Sequence, residues 1–198
     1  MSRYRRAKGG KTFFFTVVTY KRKRILCLDV SREVLRQVIS ELKRSRPFTV
    51  EAWVLLPDHI HCIWTLPEGD ADYSMRWGWI KKEFTKRIRM GCVYHANPND
   101  VDQPMLFVGT AHPTVTASRV SHRDGTIWQR RFWEHMIRDE GDFRSHCDYI
   151  HFSPVKHGIV QRARDWPYST FHQFVERGTY PESWGGSEIP FPDGVGGE

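Results

Sequence analysis

Paired cysteines are missing from this chain of 198 residues. Its 4 cysteines, Cys27, Cys62, Cys92 and Cys147, form no CxxC motif, which argues against both a disulfide framework and a structural zinc knuckle. No stretch approaches the roughly 18–20 apolar residues that a membrane span needs, and the Arg-rich start lacks the apolar run of a secretory signal. The expectation is a cytoplasmic protein without membrane attachment. Acids are scarce at the start, where residues 1–50 hold 14 Lys or Arg against 3 Asp or Glu, and the last 21 residues hold 4 acids and no base. A surplus of +11 concentrated in one quarter of the chain points to a polyanionic partner, nucleic acid first, because each neutralised phosphate releases condensed counterions. The apolar content is ordinary at 39%, with 8 Trp and 12 Phe, so one core can be filled and dominant disorder is excluded.

The hydrophobic pattern orders the chain. After a basic leader comes Phe13-Phe-Phe-Thr-Val-Val-Thr19, β-branched and aromatic, which reads as a buried strand. Val34, Leu35, Val38, Ile39 and Leu42 recur at helical spacing, with Asp29 or Ser31 as cap and Pro47 as stop. Residues 48–56 and 59–66 are strand-like runs joined by Pro57-Asp58, tight enough for an antiparallel hairpin. Residues 73–90 predict an amphipathic helix with Trp77, Ile80, Phe84 and Ile88 on its core stripe and Lys81, Lys82, Lys86 and Arg87 on another face. Residues 91–126 lose all periodicity and are expected to form an inserted surface loop. Order returns as a strand over 127–138, a helix from about Asp139 ended by Pro154, and a short helix near 166–177. The predicted order β-α-β-β-α-β, followed by helices, is the α+β ferredoxin-like plan: one antiparallel sheet with helices on one face and a C-terminal helical extension. One domain over residues 1–177 is expected, with a basic arm at 1–11 and a mobile acidic Gly- and Pro-rich tail at 178–198.

Chemistry is carried by two places. His59 and His61 are two apart on a predicted strand, so alternation puts both imidazoles on one face, and their position after a hairpin turn suggests a solvent-reachable sheet edge. In the late helix, Phe143, Cys147 and Ile150 share the core stripe, while Tyr149 lies roughly 120° away with Ser153 and His146 one turn on either side. A phenol beside two possible metal ligands suggests nucleophilic attack on a phosphate.

The blocks LLPDHIHCIWTLPEGD (55–70), IWQRRFWEHMIRDE (127–140), DYIHFSPVKHG (148–158) and DWPYSTFH (165–172) resemble those of the REP-associated tyrosine transposases, a branch of the HUH single-strand DNA endonucleases. The resemblance implies the same ferredoxin-like fold, His59 and His61 as ligands of Mg²⁺ or Mn²⁺, and Tyr149 as the nucleophile. It implies cleavage and rejoining of single-stranded DNA beside hairpins of repetitive extragenic palindromes (REP), through a 5′-phosphotyrosine intermediate, by a monomer working at the nucleoid. Relatives usually carry an amide four residues after the tyrosine as a third ligand, where this chain has Ser153; His146 or water could complete the shell instead. Candidate DNA contacts are Arg3, Arg5, Arg6 and Lys8 on the arm, Lys81, Lys82 and Lys86 on the basic helix, and Lys156 and His157 beyond the tyrosine. The rival reading is a non-catalytic module that binds hairpin DNA or RNA on the same fold.

Overall fold

A computed structural model describes residues 10–94 and 127–185. Most of the predicted inserted loop, the basic arm with Arg3, Arg5, Arg6 and Lys8, and the chain after 185 lie outside the described residues. The elements are β1 (Gly10–Val18), α1 (Asp29–Ser45), β2 (Thr49–Leu55), β3 (His59–Glu68), α2 (Tyr73–Tyr94), β4 (Trp133–Met136), α3 (Glu140–Lys156) and α4 (Phe171–Glu176). The strands form one antiparallel sheet in the order β2-β3-β1-β4, which is the ferredoxin-like plan. None of the described helices is long and apolar enough to cross a membrane.

Alternation along the strands separates two cores. Phe13, Phe15, Val17, Ile60, Cys62 and Trp64 face α1 and α2, and the Trp64 and Trp77 rings stack there at 4.3 Å. Phe14, Ala52, Val54 and Ile63 face the other way, onto α3 and the C-terminal segment. The first core also holds Arg76, only 1% exposed, whose guanidinium forks onto the Asp70 carboxylate at 2.6 and 3.1 Å and reaches the Pro47 carbonyl at 3.2 Å. That fork also holds the Asp70 carboxyl below the usual carboxylate range.

Four expectations change. The strand predicted over 127–138 is reduced to Trp133–Met136, because Ile127 and Trp128 belong to the α1/α2 core and pair with the far end of β1, while Gln129 to Arg131 interrupt the alternation. Pro154 does not end α3, which runs on to Lys156 and closes at Gly158, whose φ of +64° an L side chain adopts only with strain. The missing N–H of Pro154 removes one bond in the last turn, where the helix tolerates it. Neither predicted cap of α1 operates, since Leu28 is the N-cap without a side-chain bond and Ser31 is buried; Asp139 does cap α3, accepting from the Asp142 amide at 2.9 Å. The tail does not begin at 178. Tyr180 and Trp184 pack on the α3 core, and the Tyr180 hydroxyl donates to Asp148 at 2.6 Å.

Candidate active site

β3 is an inner strand, between β2 and β1, so His59 and His61 are not on an edge and do not face solvent: they are 2% and 0% exposed beneath α3. Each ring is held through Nδ1. His59 Nδ1 lies 2.7 Å from Asp58 Oδ1, and His61 Nδ1 lies 2.9 Å from Thr16 Oγ1, its partner across the β1/β3 register. Burial would raise the Asp58 carboxyl, but the bond and charge of His59, with Arg22, outweigh it and leave the group below its ordinary range. A carboxylate behind an imidazole fixes its tautomer and turns Nε2 into the ligand nitrogen.

Tyr149 was expected off the core stripe. Instead it is 1% exposed, because the sheet and the C-terminal segment together cover α3 on both sides. Its ring meets His61 edge-on at 5.1 Å and Phe14 at 6.0 Å. The two helical residues beyond Pro154 place Lys156 about two turns after Tyr149, where its ammonium donates to the phenol oxygen at 3.2 Å and sits 4.7 Å over the ring. The next residue, His157, brings its ring to 5.0 Å from His59. His59, His61 and His157 offer ligand atoms within 4.8 Å of one another. Ser153 is buried, and its hydroxyl donates to the Tyr149 carbonyl at 2.7 Å. His146 lies on the far side of Phe14, 4.8 Å from that ring, and bonds to Asp142.

The basic residues are dispersed. Lys81 is half-buried, donating to the Gln129 carbonyl at 2.9 Å and lying over Phe132, and burial lowers its pKa to about 8. Lys82 and Lys86 line an open cleft of about 670 Å³ with Arg89 and Arg130, on the α2 side of the sheet and opposite the imidazoles. Sequence reasoning missed three things: Asp58, read only as a turn residue; Thr16; and the exposed run Lys21-Arg-Lys-Arg24. In that run Lys21 and Arg22 have φ of 56° and 51°, Arg22 reaches Asp58 Oδ2 at 3.6 Å, and Thr19 ties the turn to the Asp58 carbonyl at 2.9 Å. Two consecutive left-handed non-glycine residues cost on the order of 1–3 kcal/mol each and gather at functional sites. Four bases in a row beside the HxH turn were the available signal.

The sheet thus carries paired imidazoles beneath a helix-borne tyrosine, and the proteins similar to this chain are transposases, enzymes acting on DNA. It is 44% identical over 196 residues to the REP-associated tyrosine transposase of Escherichia coli strain K12, covering 98% of this chain and 97% of that protein. A protein of Haemophilus influenzae that carries the same family name provisionally is 40% identical over 189 residues, covering 94% and 95%. The solved structure of a REP-associated tyrosine transposase bound to a REP hairpin superposes with a TM-score of 0.65 at 43% identity, covering 96% of this chain and 99% of that one. No family model matches. The chain belongs to the REP-associated tyrosine transposases.

That family implies a divalent ion, and the donor set here fits one: three imidazoles converge, two of them with Nδ1 already committed and so offering Nε2.

Proposed function

We propose that this chain cuts and rejoins single-stranded DNA beside REP-type hairpins, with Tyr149 as nucleophile and with His59, His61 and His157 holding a divalent ion. The observation that carries this reading is the convergence of one phenol and three imidazoles at the β3/α3 contact, with the phenol oxygen held by Lys156. The Tyr149 oxygen attacks the phosphorus, the bond to the 3′ oxygen breaks, and a 5′-phosphotyrosine ester forms. The phenol gives up its proton and the departing 3′ oxygen takes one, so ester bonds are conserved and rejoining needs no nucleotide cofactor. The bound ion would supply Lewis-acid polarisation of the scissile phosphate.

The residues do the rest. Lys156 orients the phenol oxygen and puts positive charge where negative charge develops. Asp58 and Thr16 keep the two strand imidazoles in the ligating tautomer. With the Ser153 hydroxyl turned to the helix backbone, the third ligand falls to His157, and three nitrogens suit Mn²⁺ better than Mg²⁺, which prefers oxygen. The Lys21–Arg24 turn grips phosphates at the mouth, and the Lys82/Lys86/Arg89/Arg130 cleft, with the arm residues Arg3, Arg5, Arg6 and Lys8, extends the track. The structure similar to this one holds a REP hairpin, which supports the same partner here. Action as a monomer is part of the same proposal.

The test is a labelled hairpin oligonucleotide with a single-stranded flank, incubated with Mn²⁺ and run on a denaturing gel. A covalent protein–DNA band is expected from the wild type and none from Tyr149→Phe, which should still bind the hairpin. Hairpin binding without a covalent band under any divalent ion would favour the non-catalytic module.

A further inference from the structure

A second group of metal-binding side chains is assembled where β4 meets the start of α3. His135 lies opposite Phe14 in the β1/β4 register and so on the α3 face of the sheet, while Asp142 and His146 are one turn apart on the same side of α3. The Asp142 carboxylate bridges the edges of the two rings, with Oδ2 2.9 Å from His135 Nε2 and Oδ1 3.0 Å from His146 Nδ1, which donates to the Asp142 carbonyl at 2.8 Å and so leaves Nε2 as the ligand nitrogen. The three ligand atoms lie within 4.8 Å of one another. Orientation is set in advance: the His135 ring stacks with His146 at 4.6 Å and 14° and lies nearly parallel to Trp133 at 5.9 Å and 9°. His146 is 96% buried by its 4% exposure, yet its Nε2 has no hydrogen-bond partner, an unsatisfied group that buried sites rarely keep without a role.

We propose that His135, Asp142 and His146 bind a second divalent transition ion, of the Zn²⁺ or Co²⁺ type, that pins β4 to the helix carrying Tyr149. Two imidazoles and a carboxylate form a nitrogen-rich set that suits these ions and disfavours Mg²⁺. His146 and Asp142 are both shifted towards their ligating forms. Burial lowers the pKa of His146, against a partial offset from Asp142. Burial would raise Asp142, but the Arg138 amide and His135 outweigh it and keep the carboxylate ionised. His135 and Asp142 keep side-chain exposures of 20% and 18%, enough for an ion to enter with a water as further ligand. The Phe14 ring stands between this cluster and the strand imidazoles, 4.8 Å from His146 and 5.7 Å from His61. A phenyl ring in that position separates two ions beyond the roughly 3.5–4 Å of a shared catalytic pair, so the second ion acts through structure.

The experiment uses full-length protein without a polyhistidine tag, stripped with chelator and then titrated with Co²⁺ and Zn²⁺. Calorimetry reads stoichiometry, and the visible Co²⁺ spectrum reports imidazole coordination. Two ions per chain are expected for the wild type. His135→Gln should lose one of them, together with the rise of several degrees in Tm that saturating Zn²⁺ gives the wild type. The double variant His59→Gln/His61→Gln should lose the other ion and keep this one, so failure here is distinguishable from failure of the active-site reading. Asp142→Asn, which retains the shape that accepts the Arg138 amide, serves as the second variant if His135→Gln does not fold. One ion per chain that survives His135→Gln, or two that both survive it, would overturn the proposal and leave the cluster a hydrogen-bonded lock.

Discussion

Replacing Asp58 by alanine isolates what holds the proposed metal-binding histidines in place. Asp58 Oδ1 sits 2.7 Å from His59 Nδ1, on the side of the ring away from the ligating nitrogen. Carboxylates in this relation to a ligand histidine typically contribute 10–100-fold to metal affinity, about 1.4–2.7 kcal/mol. Competing effects are small. The Arg22 ion pair lost at the same time is 3.6 Å long with Arg22 47% exposed, which limits it to less than about 1 kcal/mol. The turn itself survives, because Thr19 bonds to the Asp58 backbone carbonyl rather than to its side chain. Titration calorimetry with Mn²⁺ near pH 7 should show the 10–100-fold loss in a variant whose circular dichroism is unchanged. A folded Asp58→Ala protein that binds Mn²⁺ within twofold of the wild type would refute the reasoning.

Further outcomes follow from other contacts. Lys156→Met removes a charge-assisted bond of 3.2 Å to the Tyr149 oxygen and should slow covalent adduct formation by about 10–100-fold while leaving hairpin affinity within about threefold, measured by gel quantification and anisotropy. Asp70→Ala leaves the buried Arg76 guanidinium without its carboxylate and should cost about 3 kcal/mol in urea unfolding, with no change in the adduct rate per folded molecule. His151 is fully buried and burial lowers its pKa to about 3, so the unfolded chain, at an ordinary 6.5, binds the extra proton first on acidification. Its contribution is intact above pH 6.5 and declines as pH falls towards 3. At pH 5 the loss should be about 2 kcal/mol, and His151→Asn should flatten that slope in urea titrations at several pH values.

Period-2 and helical spacing made the order of elements along the chain and the shared face of the two strand imidazoles legible, since Phe13–Phe15 and His59/His61 carry their faces in the alternation itself. What spacing could not show was the second layer. Tyr149 lies off the stripe of Phe143, Cys147 and Ile150, and only the packing of Phe171, Phe174 and Tyr180 over α3 explains why both sides of that helix are buried. The same limit put the HxH pair on an exposed edge, because a strand's place within a sheet depends on partners far away in sequence. Pro154 signals a helix stop through its missing N–H. The cost of one bond is small beside the packing of a helix that continues to Lys156, and that continuation returns Lys156 and His157 to the site. Asp58 was visible but read for its turn geometry, one residue short of its partnership with His59.

The central claim is that Tyr149 takes the DNA onto itself. Protease digestion of the trapped covalent complex, followed by mass spectrometry, identifies the residue that carries the 5′-phosphate. The account requires the nucleotide mass on Tyr149 in wild type; its appearance on any other residue, or a cleaved strand with a 5′-phosphate and no linked peptide, would contradict it.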